Sequence, residues 1–357
     1  RFNKNWKECT LLNRAMSTNK ISESKRFKGF AKWVQFILAR GLVSLLQSLP
    51  IGLAYKLGRG AGWLSWKFMS KRRDVVRKNL EVVNTWIQAQ SSNDGLPSND
   101  GEEARGAGFS GVSSAKCNRP SEIRHHSSIN LEAQVKEVFQ RVVANLSSGF
   151  TFSRMSPEKM DEHLKIEGLE YLQDALSEGK GAIVLLSHMG PWEALAQLPS
   201  FFAERYGIQI PIGFMYRPLN NTYLDEYIKK QREVSGARLF SRRDGFYKPV
   251  DFIRNGGMLC ILADQKMREG PIASYFGVEV PTSPIPGLFH RRSGAPMLTF
   301  SLATVAPTRW KLTMNPVTYP ADVDLSSREA LASICNQALE QGLASSPCDG
   351  LWMHKRF

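Results

Sequence analysis

Cysteine is sparse in this 357-residue chain. Its five copies (Cys9, Cys117, Cys260, Cys335 and Cys348) are odd in number, scattered and never spaced as CxxC. That pattern argues against a disulfide framework and a zinc site, and for a reducing compartment. Long apolar runs are scarce too. In the apolar N-terminal region the longest uncharged stretch, Gly41 to Tyr55, has 15 residues, where a spanning helix needs about 20. There is no glycine-rich nucleotide loop, and His125-His126 stands without further metal ligands. Acidic residues are the remaining shortage, 33 against 47 basic ones, for a formal charge of +14. Such a balance favours polyanions: nucleic acid, an anionic membrane surface, phosphorylated substrates or an acidic protein partner. The basic residues lack an interleaved aromatic recognition motif, which weighs against nucleic acid. The chain opens on Arg1 rather than Met, which points to a start further upstream.

What is present divides into four parts. Residues 1–28 carry eight Lys or Arg against two acids and read as a basic arm. Residues 29–90 read as a membrane-associated helical region. Its apolar face has Trp33, Trp63 and Trp66 as interfacial aromatics, and Lys71 to Lys78 supply five basic residues suited to anionic headgroups. A buried core helix, a span with Arg40 snorkelling and a solvated basic face are the other readings of these stretches. Residues 91–128, rich in Ser, Gly, Asn and Asp, read as a disordered insertion. From 129 to 357 helical and strand-like segments alternate. Strands are expected at 181–187, 210–216, 237–241, 258–263, 296–304 and 309–317, helices at 191–205, 222–234, 247–255 and 326–344, and a loop through 275–287. The pattern predicts an α/β fold with a mostly parallel central sheet and helices on both faces.

The chemistry centres on GKGAIVLLSHMGPWE, residues 179–193. Its apolar run has the length and branching of a buried strand, and it ends at Ser187-His188 before Gly190-Pro191 turns the chain. Ser187, adjacent to His188 in the strand, is expected to point to the opposite face. Residues five apart in one helix diverge by about 140°, so the Gly-Pro break is what would let His188 meet Glu193. A capping carboxylate and a satisfied strand-end histidine are the purely structural alternatives. Ligands in open α/β sheets bind beyond the carboxyl ends of strands, and two further putative strand ends offer Arg217 and Asp264.

Six segments then carry a resemblance: KRRDVVRKNLEVV, SHMGPWE, YRPLNNTYLDEYIKKQR, FSRRDGFYKPVDFIRNGGMLCILADQ, YFGVEVPT and the terminal LWMHKRF. In this order the chain resembles the late acyltransferases of lipid A biosynthesis, the lauroyl/myristoyl family related to glycerolipid acyltransferases. The resemblance covers about residues 30–357 apart from the insertion, with Ile285 and His290 where the family has Gly and Ala. It implies a glycerolipid-acyltransferase-like fold and a catalytic His188, the general base for an acceptor hydroxyl, oriented by Glu193. Arg217 and Asp264 would belong to the site, as a phosphate or oxyanion ligand and its positioner or as a structural pair. Arg242, Arg243 and Asp244 are further candidates, with Arg243 taken as substrate-binding. The donor implied is an acyl thioester on acyl carrier protein, with acyl-CoA compatible, and no other cofactor. The acceptor would be a phosphorylated glycolipid, and the location the cytoplasmic side of the bacterial inner membrane. An acyltransferase for another glycolipid or glycerolipid, and a non-catalytic lipid-binding relative, are the alternatives.

Overall fold

The computed structural model describes residues 29–93, 130–241 and 245–357. The basic arm, nearly all of the expected insertion, and Arg242, Arg243 and Asp244 lie outside them. A seven-stranded sheet in the order β1-β9-β8-β2-β5-β3-β4 forms the centre. Its strands are β1 (Leu164–Glu167), β2 (Ala182–Leu186), β3 (Ile212–Tyr216), β4 (Arg238–Ser241), β5 (Met258–Leu262), β8 (Met297–Ala306) and β9 (Arg309–Pro316). The five strands from β8 to β4 run parallel, whereas β9 pairs antiparallel with β8 and β1 runs parallel to β9.

The β2 run AIVLL is buried on both faces, as a strand covered by helices on either side requires. Ala182, Val184 and Leu186 pack with Phe201, Phe202 and Leu172. Ile183 faces the other way, toward Val250, Phe252 and Phe289. The first layer holds α6 (Leu169–Ser177) and α7 (Leu198–Tyr206), which follows a 3-10 turn at Trp192–Gln197. The second holds α9 (Tyr247–Arg254), α10 (Ile285–Ser293) and α11 (Arg328–Ser345). Helix α8 (Thr222–Glu233) connects β3 to β4.

Three elements differ from expectation. The expected loop at 275–287 contains a hairpin, β6 (Ile272–Tyr275) with β7 (Val278–Pro281), and the start of α10. Its turn residues Phe276 and Gly277 have φ of 51° and 74°, the signs of a type I′ turn. The expected helix at 191–205 is a 3-10 turn followed by α7, with Pro199 inside the first turn of α7, where its missing N–H costs no helical hydrogen bond. A short strand β1 and a short helix α5 (Pro157–Asp161) precede α6.

Among the described residues, four helices form the N-terminal side: α1 (Phe30–Ser48), α2 (Ile51–Phe68), α3 (Ser70–Asn93) and α4 (Leu131–Phe152). Helix α3 runs three residues into the expected insertion. No described helix is long and apolar enough to cross a membrane. Even so, α1 and α2 leave Leu38, Leu42, Leu45, Leu57, Leu64 and Phe68 exposed. The basic run is partly engaged within the protein. Arg72 donates to the Met353 carbonyl, Arg73 lies over the Trp66 ring, and Arg77 pairs with Asp74 and Glu132.

Candidate active site

Strands β2 and β5 are neighbours, with Leu186 level with Leu262. Two residues further along each strand, that register sets His188 beside Asp264. The two meet twice: the His188 backbone N–H donates to Asp264 Oδ2 at 3.0 Å, and His188 Nδ1 lies 2.7 Å from Asp264 Oδ1. An ionised carboxylate only accepts, so Nδ1 carries the hydrogen and Nε2 is the nitrogen left with a lone pair. The edge of the ring meets Trp192, 5.6 Å between centroids.

The turn that presents His188 is fixed by backbone chemistry. Gly190 has φ +58°, and a Cβ there would stand 2.2 Å from the Leu302 carbonyl oxygen, so only glycine fits. Leu351 N–H donates to the His188 carbonyl at 2.9 Å, and Met189 bridges Gly350. Beneath, Asp349 is fully buried and accepts from Thr304, Asn145 and Arg141.

Burial pushes the His188 pKa down, but the charge and hydrogen bond of Asp264 outweigh it, and the net direction is up. Burial pushes Asp264 up, and the His188 contacts outweigh that, so it is held below the usual carboxylate range. The two directions agree: an ionised carboxylate stabilises an imidazolium.

Glu193 does not take the position expected for it. Its carboxylate accepts a bidentate pair from Arg232 of α8, Nη2 to Oε1 at 2.7 Å and Nε to Oε2 at 3.0 Å. The 3-10 turn carries Glu193 away from Nδ1, which Asp264 occupies. Glu193 still acts on His188 through its charge, which favours the imidazolium, and Arg232 opposes it. Arg217 is exposed, one residue past β3. The Arg217–Asp264 pair is not formed: Asp264 is buried with both oxygens on His188, whereas Arg217, past the end of the neighbouring strand β3, is exposed. Arg243 lies outside the described residues.

Arg232 escaped the sequence reading, although a carboxylate as enclosed as Glu193 implies a cation nearby. It helps line an open slot of about 440 Å³, counting its mouth, whose walls include Leu186, Trp192, Phe214 and Leu262. His290, a departure from the family pattern, has both ring nitrogens engaged, by the Ala295 carbonyl and the Tyr319 hydroxyl. Among the described residues no three His, Cys, Asp or Glu side chains gather as a metal-binding group.

Residues 111–357 match the profile of the family described as bacterial lipid A biosynthesis acyltransferase. Among similar proteins is the lipid A biosynthesis palmitoleoyltransferase of Escherichia coli K12, 23% identical over 324 residues, covering 89% of each chain. The lipid A biosynthesis lauroyltransferase of the same organism is 22% identical over 329 residues and 90% of each chain. The lipid A biosynthesis acyltransferase 2 of Shigella flexneri is 25% identical over 205 residues, 56% of this chain and 62% of that one.

Proposed function

Because the chain belongs to the bacterial lipid A biosynthesis acyltransferase family, and is thereby an O-acyltransferase, we propose that it moves a fatty acyl group from an acyl carrier protein thioester to a hydroxyl of a lipid A precursor. His188 is the general base. The acceptor O–H gives its proton to His188 Nε2 as the oxygen bonds to the thioester carbonyl carbon. When the tetrahedral intermediate collapses, the C–S bond breaks and the thiolate takes that proton back. Asp264 orients the imidazole and stabilises its charged form, the part the acid plays in a hydrolase triad. The observation that carries this reading is the 2.7 Å contact between His188 Nδ1 and Asp264 at the ends of adjacent parallel strands.

The acyl chain would lie in the apolar slot beside Trp192 and Phe214, with the Glu193–Arg232 pair at its polar edge. Arg217 is read as a ligand for phosphate on the acceptor or carrier, a reading supported by its exposure beyond β3. Arg243 is assigned the same task from the family pattern alone. The exposed apolar face of α1 and α2, beside Lys67 and Lys71, suits docking on an anionic membrane.

The decisive assay incubates the protein with acyl carrier protein thioesters and a phosphorylated disaccharide lipid acceptor and identifies esters by mass spectrometry. His188→Ala is expected to lower kcat by about 10²–10⁴-fold. Undiminished turnover in that variant refutes the assignment of the base, and ester formation only on glycerolipid acceptors refutes the assignment of the acceptor.

A further inference from the structure

The apolar slot beside His188 has a definite floor, and the sheet register gives its depth. The slot begins at the catalytic ring: Trp192 lines it and meets the edge of His188, 5.6 Å between centroids. Side chains two apart on a strand share a face, so the register grades this wall in steps. Leu186 of β2 and Leu262 of β5 stand level at the top. Cys260 of β5 and Phe214 of β3 stand level with each other one strand repeat lower. Among the described residues, none that lines the slot lies deeper on these strands. The next pair on that face, Met258 and Ile212, is also level, and both are buried in the core that holds Leu198 and Phe202.

Cys260 thus ends the slot as a small side chain with a larger one, Met258, beneath it. Its thiol is buried at the foot of the slot, and burial pushes its pKa up. A thiol held protonated is a weak nucleophile, so its part is to be small and apolar rather than to react. The distance from base to floor follows from the strands. Val184 of β2 is level with Cys260, and His188 lies four residues beyond Val184. At about 3.3 Å per residue that is a drop of about 13 Å. An extended hydrocarbon advances about 1.25 Å per carbon, given a C–C bond of about 1.52 Å. An acyl group whose carbonyl carbon lies at His188 therefore meets the floor with about ten to twelve carbons.

We infer that the floor made by Cys260, backed by Met258, sets the length of the acyl donor, and that the slot takes medium-chain acyl groups of about ten to twelve carbons. The inference rests on the reading of the slot as the acyl site. A longer chain would have to displace Met258 and Ile212, which close packing resists, or leave its excess carbons in water. Added bulk at position 260 raises the floor, and bulk removed at position 258 lowers it.

The test compares kcat/KM of the full chain for carrier-protein thioesters from octanoyl to palmitoyl, with a phosphorylated disaccharide lipid acceptor. Wild type is expected to favour decanoyl or dodecanoyl over palmitoyl by about 10–100-fold. Cys260→Leu should raise the octanoyl-to-dodecanoyl ratio by on the order of tenfold, and Met258→Ala should raise the myristoyl-to-dodecanoyl ratio by a similar factor. Both substitutions change core volume and can cost folded protein. A ratio between two donors in one variant does not depend on how much of it is folded, and Cys260→Val and Met258→Val are the milder steps if either variant is lost. Unchanged ratios overturn the inference, as does a wild type that prefers palmitoyl. Binding of free fatty acids of the same lengths gives a readout without turnover, as the tryptophan fluorescence change that Trp192→Phe removes. Affinity should climb to dodecanoate and level off; a climb that continues to palmitate overturns the inference. If no ester forms from any thioester, the acyltransferase reading fails and binding alone reads the depth of the slot. If ester forms with equal efficiency at every length, only the role of the floor fails.

Discussion

Asp264 bonds the histidine it serves through two different groups, a ring N–H and a backbone N–H. Both are donors, and a carboxylate satisfies both because it has acceptors on each oxygen. Asparagine cannot. In one orientation its amide N–H₂ confronts the His188 backbone N–H, leaving two donors face to face. In the other it donates to Nδ1, which moves the ring proton to Nε2 and abolishes the base. Asp264→Asn is therefore expected to lower kcat by about 10²–10⁴-fold. The pH dependence gives a second readout. His188 has a raised pKa because the effect of Asp264 outweighs that of burial, so wild-type kcat/KM should decline as pH falls through a value above the ordinary histidine range near 6.5. Without the carboxylate charge the remaining desolvation lowers that pKa, and the limb should move to lower pH. A pH–rate profile for wild type and Asp264→Asn checks both claims, and an unmoved limb would contradict the pairing.

At the scale of elements, helix α2 owes its seat to glycines. Gly58 and Gly62, one turn apart, face the backbone of α4. A Cβ on Gly62 would lie 2.4 Å from the Phe139 carbonyl oxygen, and one on Gly58 would lie 2.6 Å from Ala144 Cα. Backbone cannot yield as a side chain can, so the contact forbids anything larger than hydrogen. Gly62→Val is expected to destabilise the protein by about 1–3 kcal/mol and to open the N-terminal helices to protease. Gly60 has nothing within 4 Å of its would-be Cβ, and Gly60→Ala should be neutral or stabilising by up to about 1 kcal/mol. Thermal melts of the two variants check the contrast. Local signals of this kind also set how much could be read from the chain. The β2 run, the Gly190-Pro191 turn and the strand ending at Asp264 were legible because apolar length and turn chemistry are local. The partnership of His188 with Asp264 was not, because it depends on β2 and β5 being neighbours, a contact 76 residues apart. Glu193 was misplaced for a smaller reason: the 3-10 turn alters the angle between turn and helix. The β6–β7 hairpin escaped because its turn puts Phe276 at positive φ, where asparagine or glycine is the usual signal. Helix α10 was masked by Pro286 and Gly287 in its first turn.

For the whole molecule, the +14 charge and the exposed apolar helices make two different demands on a membrane. Electrostatic attraction to anionic lipid weakens once salt shortens the Debye length from about 10 Å at 0.1 M to 3 Å at 1 M. Burial of Leu38 and Leu42 among acyl chains does not depend on salt in that way. Three of the basic residues between Lys71 and Lys78 already have partners inside the protein, which reduces the charge left for headgroups. The apolar face should therefore dominate retention, with the cations adding to the approach. Each leucine gives about 1.5–3 kcal/mol when fully buried; counting partial insertion, Leu38→Glu with Leu42→Glu should weaken binding to vesicles containing anionic phospholipid by about 100-fold. Flotation at low and high salt reads the two terms separately. The wild type should stay largely vesicle-bound at 0.5 M salt (about 4 Å of screening length), while the double variant should not. Turnover of a detergent-dispersed substrate should be the same in both, because both leucines are exposed side chains of α1, outside the catalytic pair and the slot beside it. Release of the wild type by salt alone would mean that charge, not the apolar face, holds the protein on these vesicles.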